Sequence, residues 1–262
     1  MSALESLILG IVQGVTEFLP VSSSGHLELV KAIFGNDYEK KQGLLITITL
    51  HAATAFSTLF VFRKDITLIL TDLMILKKGK HLNFSKKIVL SMIPAVLIGL
   101  FFEDFIASLF DGKIALVGTM LMVTALLLYL ADRVNENNKE LSYGNAISIG
   151  LIQAIAILPG ISRSGATIAL GVLLKIDRDK AAQFSFLMVI PLIFGSMVKN
   201  ILDGDLTHES TELFPLMTGF FGAFITGVFA CRWMVALVKK SRLKYFSFYC
   251  LIVGGLAILY SL

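Results

Sequence analysis

Long apolar runs separated by short polar clusters dominate the chain. Six of them, near 43–62, 87–103, 113–131, 181–199, 213–238 and 244–261, are apolar enough to be membrane-crossing helices. Crossing ~30 Å of hydrocarbon takes about 20 helical residues. The run at 213–238 has length to spare for a tilt. Two further apolar regions, 3–34 and 142–175, read differently. They are interrupted by L-P-V-S-S-S-G-H at 19–26 and by L-P-G-I-S-R-S-G at 158–165. Each half holds only about a dozen residues, too few to span alone. The pattern predicts two helix–break–helix hairpins that enter the membrane and return. Broken backbone at that depth survives only inside protein or against a watery cavity.

The two interrupted regions also match each other. A shift of 140 positions aligns Gly10 with Gly150, Gln13 with Gln153, Ser22 with Ser162, Ser24 with Ser164 and Gly25 with Gly165. Each half of the chain then reads hairpin, span, span, span. A re-entrant hairpin returns to its starting side and three spans end opposite, so the second half starts inverted. The expected fold is an all-α polytopic membrane protein, one integral domain over 1–262. It is made of two inverted-topology repeats, 1–131 and 142–262, each a re-entrant helix hairpin plus three transmembrane helices.

Composition agrees and then sharpens the picture. Of 262 residues 56% are hydrophobic and 16% charged, against roughly 25% charged in soluble domains, and mean hydropathy is +0.81. Disordered, collagen-like, disulfide-rich and ordinary cytosolic classes are excluded. The net charge of +4 is small and scattered, so no nucleic-acid partner is expected. Cys231 and Cys250 lie in apolar runs and read as small buried hydrophobes. The N-terminus has Glu5 where a signal peptide carries Lys or Arg, so no cleavable leader is expected. Sixteen Lys and Arg fall on one side of the predicted topology and five on the other. The rich side is cytoplasmic by the positive-inside rule, so the mouth of the first hairpin faces outward.

A few polar residues defy their apolar surroundings. Arg163 sits inside a broken helix, flanked by Ser162 and Ser164 and by Gly160 and Gly165. An arginine there is a functional residue by default, the plain alternative being a structural cation that caps carbonyls. Backbone N–H groups at a helix start bind anions, and the guanidinium fork matches phosphate. In the first hairpin, Gln13 and Glu17 are four apart and share a helical face. Ser22, Ser23, Ser24, Gly25 and His26 follow. Singly, serines cap helices and a histidine can be a satisfied interfacial group. Brought together by the repeat axis, a carboxylate, hydroxyls, an imidazole and an arginine supply what phosphate-ester chemistry needs. Thr47, His51, Thr54 and Thr58 form a polar stripe on the first span, read first as hydrogen bonding between helices. Pro94 and Pro191 fall in spans, where proline is common. The Lys77–Lys87 run reads as an anchor to anionic headgroups.

Q-G-V-T-E-F-L-P-V-S-S-S-G-H at 13–26 with P-G-I-S-R-S-G at 159–165 resembles the two signature motifs of the undecaprenyl-diphosphate phosphatase, or bacitracin-resistance, family. Q-F-S-F-L at 183–187 and F-R-K-D at 62–65 are similar too. The resemblance covers the whole chain. It implies hydrolysis of undecaprenyl diphosphate at the outer face of the bacterial inner membrane, regenerating the lipid carrier for cell-wall precursors, with a divalent cation (Mg or Ca). It implies catalytic roles for Glu17, Ser23, His26 and Arg163, with Glu17 as the one metal ligand. Gln13 stands at the first position of the family's E/Q-x-x-x-E pattern, which puts the acidic burden on Glu17. Ser24 stands where many relatives have Thr. Ser22, Ser24, Gly25, Ser162, Ser164 and Gly165 are expected to bind phosphate, with Gln13 and Gln153 in support. Either Ser23 or His26 can be the nucleophile; the preferred arrangement has Ser23 attacking, His26 as base, and Glu17 orienting His26 or holding a cation. The rival reading is a polyprenyl-phosphate flippase or other inverted-repeat transporter without hydrolysis. A homodimer is compatible with the sequence.

Overall fold

A computed structural model describes residues 2–34, 40–75, 79–109, 113–135, 138–202, 213–240 and 242–261. Among them are twelve helices and no named strand: α1 (Ala3–Phe18), α2 (Ser23–Phe34), α3 (Lys40–Val61), α4 (Arg63–Met74), α5 (Lys80–Phe101), α6 (Glu103–Leu109), α7 (Ile114–Asp132), α8 (Tyr143–Ile155), α9 (Arg163–Leu173), α10 (Arg178–Leu202), α11 (Leu213–Lys239) and α12 (Lys244–Tyr260). The chain is therefore an all-helical polytopic membrane protein. Helices α5, α7, α10 and α11 are each long and apolar enough to cross a bilayer, α3 qualifies together with α4, and α12 is a shorter apolar helix. The axis turns by 82° between α3 and α4. Outward faces are apolar where water would forbid it: Phe229 is 68% exposed and Leu256 61%.

Both interrupted regions form helix pairs whose breaks are built alike. Pro20 and Pro159 lack a donor and cannot continue a helical ladder. A serine then starts the second helix of each pair. Ser22 Oγ accepts the Gly25 N–H at 3.2 Å and Ser162 Oγ accepts the Gly165 N–H at 3.0 Å. Each thereby satisfies one of the orphan donors of a helix start. Ser22 adopts φ 71° and Gly160 φ 97°. A Cβ on Gly160 would also sit 2.4 Å from the Val117 carbonyl oxygen of α7, so only glycine fits that corner. Thr124 of α7 holds the corner from below, donating to the Gly160 carbonyl and accepting the Ser162 N–H.

The hairpins are placed by exchange between halves. α1 packs on α11, and α8 packs on α5. The contact is backbone on backbone: a Cβ on Gly10 would lie 2.3 Å from Gly219 O, and one on Gly150 would lie 2.4 Å from Ser91 O. The third spans, α7 and α12, meet where Gly118 and Gly254 face each other. In lipid no hydrophobic force drives helices together, so close approach of small residues does it. Within the polar stripe of α3 the bonds of His51, Thr54 and Thr58 run inside the helix: His51 Nδ1 pairs with Thr47 O, Thr54 donates to His51 O and Thr58 to Thr54 O. The bond between helices comes from Ser57, which donates to Phe224 O of α11 at 2.9 Å. Back-bonding to a carbonyl of the preceding turn satisfies a threonine at no cost in partners.

Candidate active site

Glu17 stands in the last turn of α1, 8% exposed, and three side chains converge on it. Arg163, the first residue of α9, donates through Nη2 to Glu17 Oε1. Ser23, the first residue of α2, donates through Oγ to Glu17 Oε2 at 2.6 Å, and Gln13 Nε2 reaches the same oxygen at 3.1 Å. One carboxylate thus ties the start of the second helix of each hairpin to the end of α1. The spacing of four between Gln13 and Glu17 and the breaks after Phe18 and Ile155 produce this. Arg163 Nη1 and Gln13 Oε1 are buried and make no hydrogen bond among the described residues. A guanidinium with a spare buried donor beside a hydroxyl whose proton rests on a carboxylate is equipped to hold an anion and activate a nucleophile.

The serines and glycines expected around phosphate divide into two groups. Ser162 and Ser164 are buried; Ser162 Oγ caps α9 and Ser164 Oγ reaches Leu19 O of the first hairpin at 3.2 Å. The N–H groups of Gly25 and Gly165 are taken by the capping serines. A Cβ on Gly25 would meet Gly160 Cα at 3.2 Å, and one on Gly165 would meet Pro20 Cβ at 3.1 Å. These glycines let the two breaks touch. Ser23 and Ser24 are half-buried at the start of α2, and Ser24 Oγ lies 3.4 Å from Ser22 Oγ. The N-termini of α2 and α9 therefore meet at Glu17 and Arg163, and both helix dipoles favour negative charge there. Gln153, 3% exposed, makes no hydrogen bond through either amide atom among the described residues and is not part of the Glu17 cluster.

His26 lies one turn into α2, but the expected chain from Glu17 through His26 to Ser23 is not the one assembled. Its Nδ1 pairs with Ser22 O at 2.8 Å and its Nε2 with the hydroxyl of Tyr249 on α12, also at 2.8 Å. Glu17 accepts the Ser23 hydroxyl directly, because the break brings Ser23 back over the last turn of α1, while the His26 ring, one turn on, bonds to Ser22 and Tyr249. Tyr249 escaped sequence reasoning because tyrosines in membrane helices are common at interfaces. The motifs at 62–65 and 183–187 act from outside. Gln183 donates to Asp65 at 2.9 Å, Ser185 pairs with Thr167 of α9 at 2.6 Å, and the Phe186 ring lies 5.7 Å from Phe18. One segment of α10 thus braces α4 and both hairpins.

A resident divalent cation does not fit these residues. Among the described residues no group of three or more His, Cys, Asp or Glu can hold a metal. Among the described residues Glu17 is the only carboxylate in the cluster, and its oxygens already carry an arginine, a hydroxyl and an amide.

Against known proteins, the family described as "Bacitracin resistance protein BacA" matches residues 6–256. A protein of Christiangramia forsetii named undecaprenyl-diphosphatase is 54% identical over 261 residues, covering 100% of this chain and 99% of the relative. One of Parabacteroides distasonis with the same name is 45% identical over 258 residues, covering 97% and 96%. One of Bacteroides fragilis, again so named, is 43% identical over 265 residues, covering 100% and 99%.

Proposed function

The chain belongs to the bacitracin resistance protein BacA family, and from that premise we propose how its site works as an undecaprenyl-diphosphatase. The enzyme hydrolyses undecaprenyl diphosphate to undecaprenyl phosphate and inorganic phosphate. That returns the lipid carrier to peptidoglycan synthesis and underlies bacitracin resistance. The observation that carries the mechanism is the 2.6 Å bond from Ser23 Oγ to Glu17. Ser23 Oγ attacks the terminal phosphorus, its proton passes to Glu17 Oε2, and the anhydride P–O bond breaks to free undecaprenyl phosphate. Water then attacks the phosphoserine, giving up a proton that His26 takes and then releases to solvent. The Ser23 O–P bond breaks, and Ser23 recovers its proton from Glu17. Arg163 offers its buried Nη1 to the equatorial oxygens, where charge gathers in phosphoryl transfer. The starts of α2 and α9 add their dipoles.

In this reading the divalent cation arrives with the diphosphate as its counter-ion, as small hard cations commonly bind through substrate phosphates. No proton or bond in the sequence above depends on it. The protein sits in the bacterial inner membrane with the site open to the exterior, on the strength of the sixteen-to-five distribution of Lys and Arg. The test is phosphate release from undecaprenyl diphosphate by the purified protein in detergent. Release is expected from the intact chain, with losses of about 10²–10⁴-fold in Glu17→Gln and Ser23→Ala. No release from the intact chain, with lipid phosphate still carried across vesicles, would overturn the reading in favour of a transporter.

A further inference from the structure

His26 is held in an arrangement that the fold itself does not require. The equivalent turn of the second hairpin closes without it. There Ala166 stands 140 positions on from His26, and its backbone N–H donates to Ser162 O at 2.7 Å, as the His26 N–H donates to Ser22 O at 3.1 Å. The same serine caps and glycine contacts accompany both turns. The imidazole is therefore an addition to a turn that is complete with alanine. Its ring bonds serve something other than closing the hairpin.

Those bonds fix its chemistry. Ser22 O can only accept, so Nδ1 carries the hydrogen of the neutral ring. Nε2 is then the lone-pair nitrogen, and the Tyr249 hydroxyl, 2.8 Å away, donates to it. The two rings also stack, with centroids 5.6 Å apart and planes within 11°. Tyr249 is itself held by neighbours on α12. Ser247 Oγ donates to Ala125 O of α7 at 2.6 Å, and Cys250 Sγ reaches Pro20 O of the first hairpin at 3.5 Å. Tyr249 thus sits on a rigid helix docked at the hairpin break, 43% exposed at the edge of the site. A tyrosine that served only as an interfacial anchor would turn its hydroxyl to headgroups. This one spends it on an imidazole.

The geometry points to Tyr249 as a proton relay for the hydrolytic step: the attacking water gives its proton to the Tyr249 hydroxyl oxygen as the hydroxyl's own proton passes to His26 Nε2. Its hydroxyl donates to neutral Nε2. Once Nε2 is protonated, the same oxygen turns acceptor, so the contact is kept in both charge states without moving the ring. The inference rests on the phosphatase reading for its reaction step and on the hydrogen-bond geometry for its contact.

Two measurements on the full-length protein test it together. Tyr249→Phe keeps the stacked ring and removes the hydroxyl. It is expected to lower kcat about tenfold, the value of one lost hydrogen bond, with KM within about twofold because bound substrate contacts are untouched. Tyr249→Leu removes the stack too and is expected to lower kcat further. In ¹⁵N spectra of the histidine-labelled protein, His26 Nε2 is expected to move toward the position of an unbonded lone pair in Tyr249→Phe, while Nδ1 stays protonated. Unchanged kcat with an unmoved Nε2 signal would overturn the proposal, as would a loss confined to KM. Absence of phosphate release from the unmodified protein would instead remove the phosphatase reading, and the Nε2 shift would still decide whether Tyr249 holds the ring.

Discussion

Removing one partner of a buried ion pair strands the other charge and costs about 3–5 kcal/mol, whereas replacing both can be nearly neutral. Glu17 and Arg163 form such a pair, with side chains 7% and 18% exposed. Arg163→Met alone leaves the carboxylate stranded, and Glu17→Gln alone leaves the guanidinium stranded. Each is expected to lower the melting temperature in detergent, and the double variant to melt above Arg163→Met. All three are expected to lose at least about 10²-fold in turnover, so stability and activity separate in the double variant. Thermal melts and phosphate release on the same preparations check this. At this scale the sequence was informative where polarity contradicted surroundings. Glu17, Arg163 and the serines stand out in apolar runs. What it could not show was which group each would meet. Ser23 and His26 are three apart on α2, yet the break at Pro20 turns one onto Glu17 and leaves the other to a tyrosine more than two hundred residues away.

Between helices, glycines divide into those that another backbone touches and those that face open space. Gly10 and Gly150 belong to the first kind, since a Cβ would fall 2.3 and 2.4 Å from carbonyl oxygens of α11 and α5. Gly99 and Gly195 have nothing within 4 Å. Gly150→Ala is expected to destabilise by about 1–3 kcal/mol, the usual cost of overpacking, and to reduce activity by displacing the second hairpin. Gly99→Ala, in the interior of α5, is expected to be neutral or to stabilise by up to about 1 kcal/mol. Melting curves in detergent check both. The helices themselves were legible from apolar runs, because length and hydropathy are what a membrane demands. Their ends were not. α5 begins at Lys80, ahead of the apolar stretch, because a helix can continue through Lys86 and Lys87 once it leaves the hydrocarbon. α4 falls between two predicted spans because Arg63, Lys64, Asp65 and Asp72 dilute its apolar positions, and only the 82° turn after α3 shows where it lies.

On the scale of the whole molecule, the site belongs to neither half. Glu17 and Ser23 come from the first hairpin and Arg163 from the second, and each hairpin is seated on the second long span of the opposite half. The alignment at a shift of 140 pairs residues that make equivalent bonds, Ser22 with Ser162 and Gly25 with Gly165, but does not show which keep their chemistry. Ile157 stands where Glu17 has its counterpart, and Ala166 where His26 has its own, so a single set of reactive groups survives. That set lies at the turn of the first hairpin. If the predicted topology holds, with the mouth of that hairpin opposite the side that carries sixteen Lys and Arg, hydrolysis is expected on the exterior face. The decisive measurement uses sealed right-side-out and inside-out membrane vesicles from cells expressing the protein, given undecaprenyl diphosphate labelled in its terminal phosphate and added from outside. Labelled inorganic phosphate is predicted from the right-side-out vesicles only, and from neither kind with Ser23→Ala. Release confined to the inside-out vesicles, or labelled lipid crossing with its terminal phosphate intact, would contradict the account.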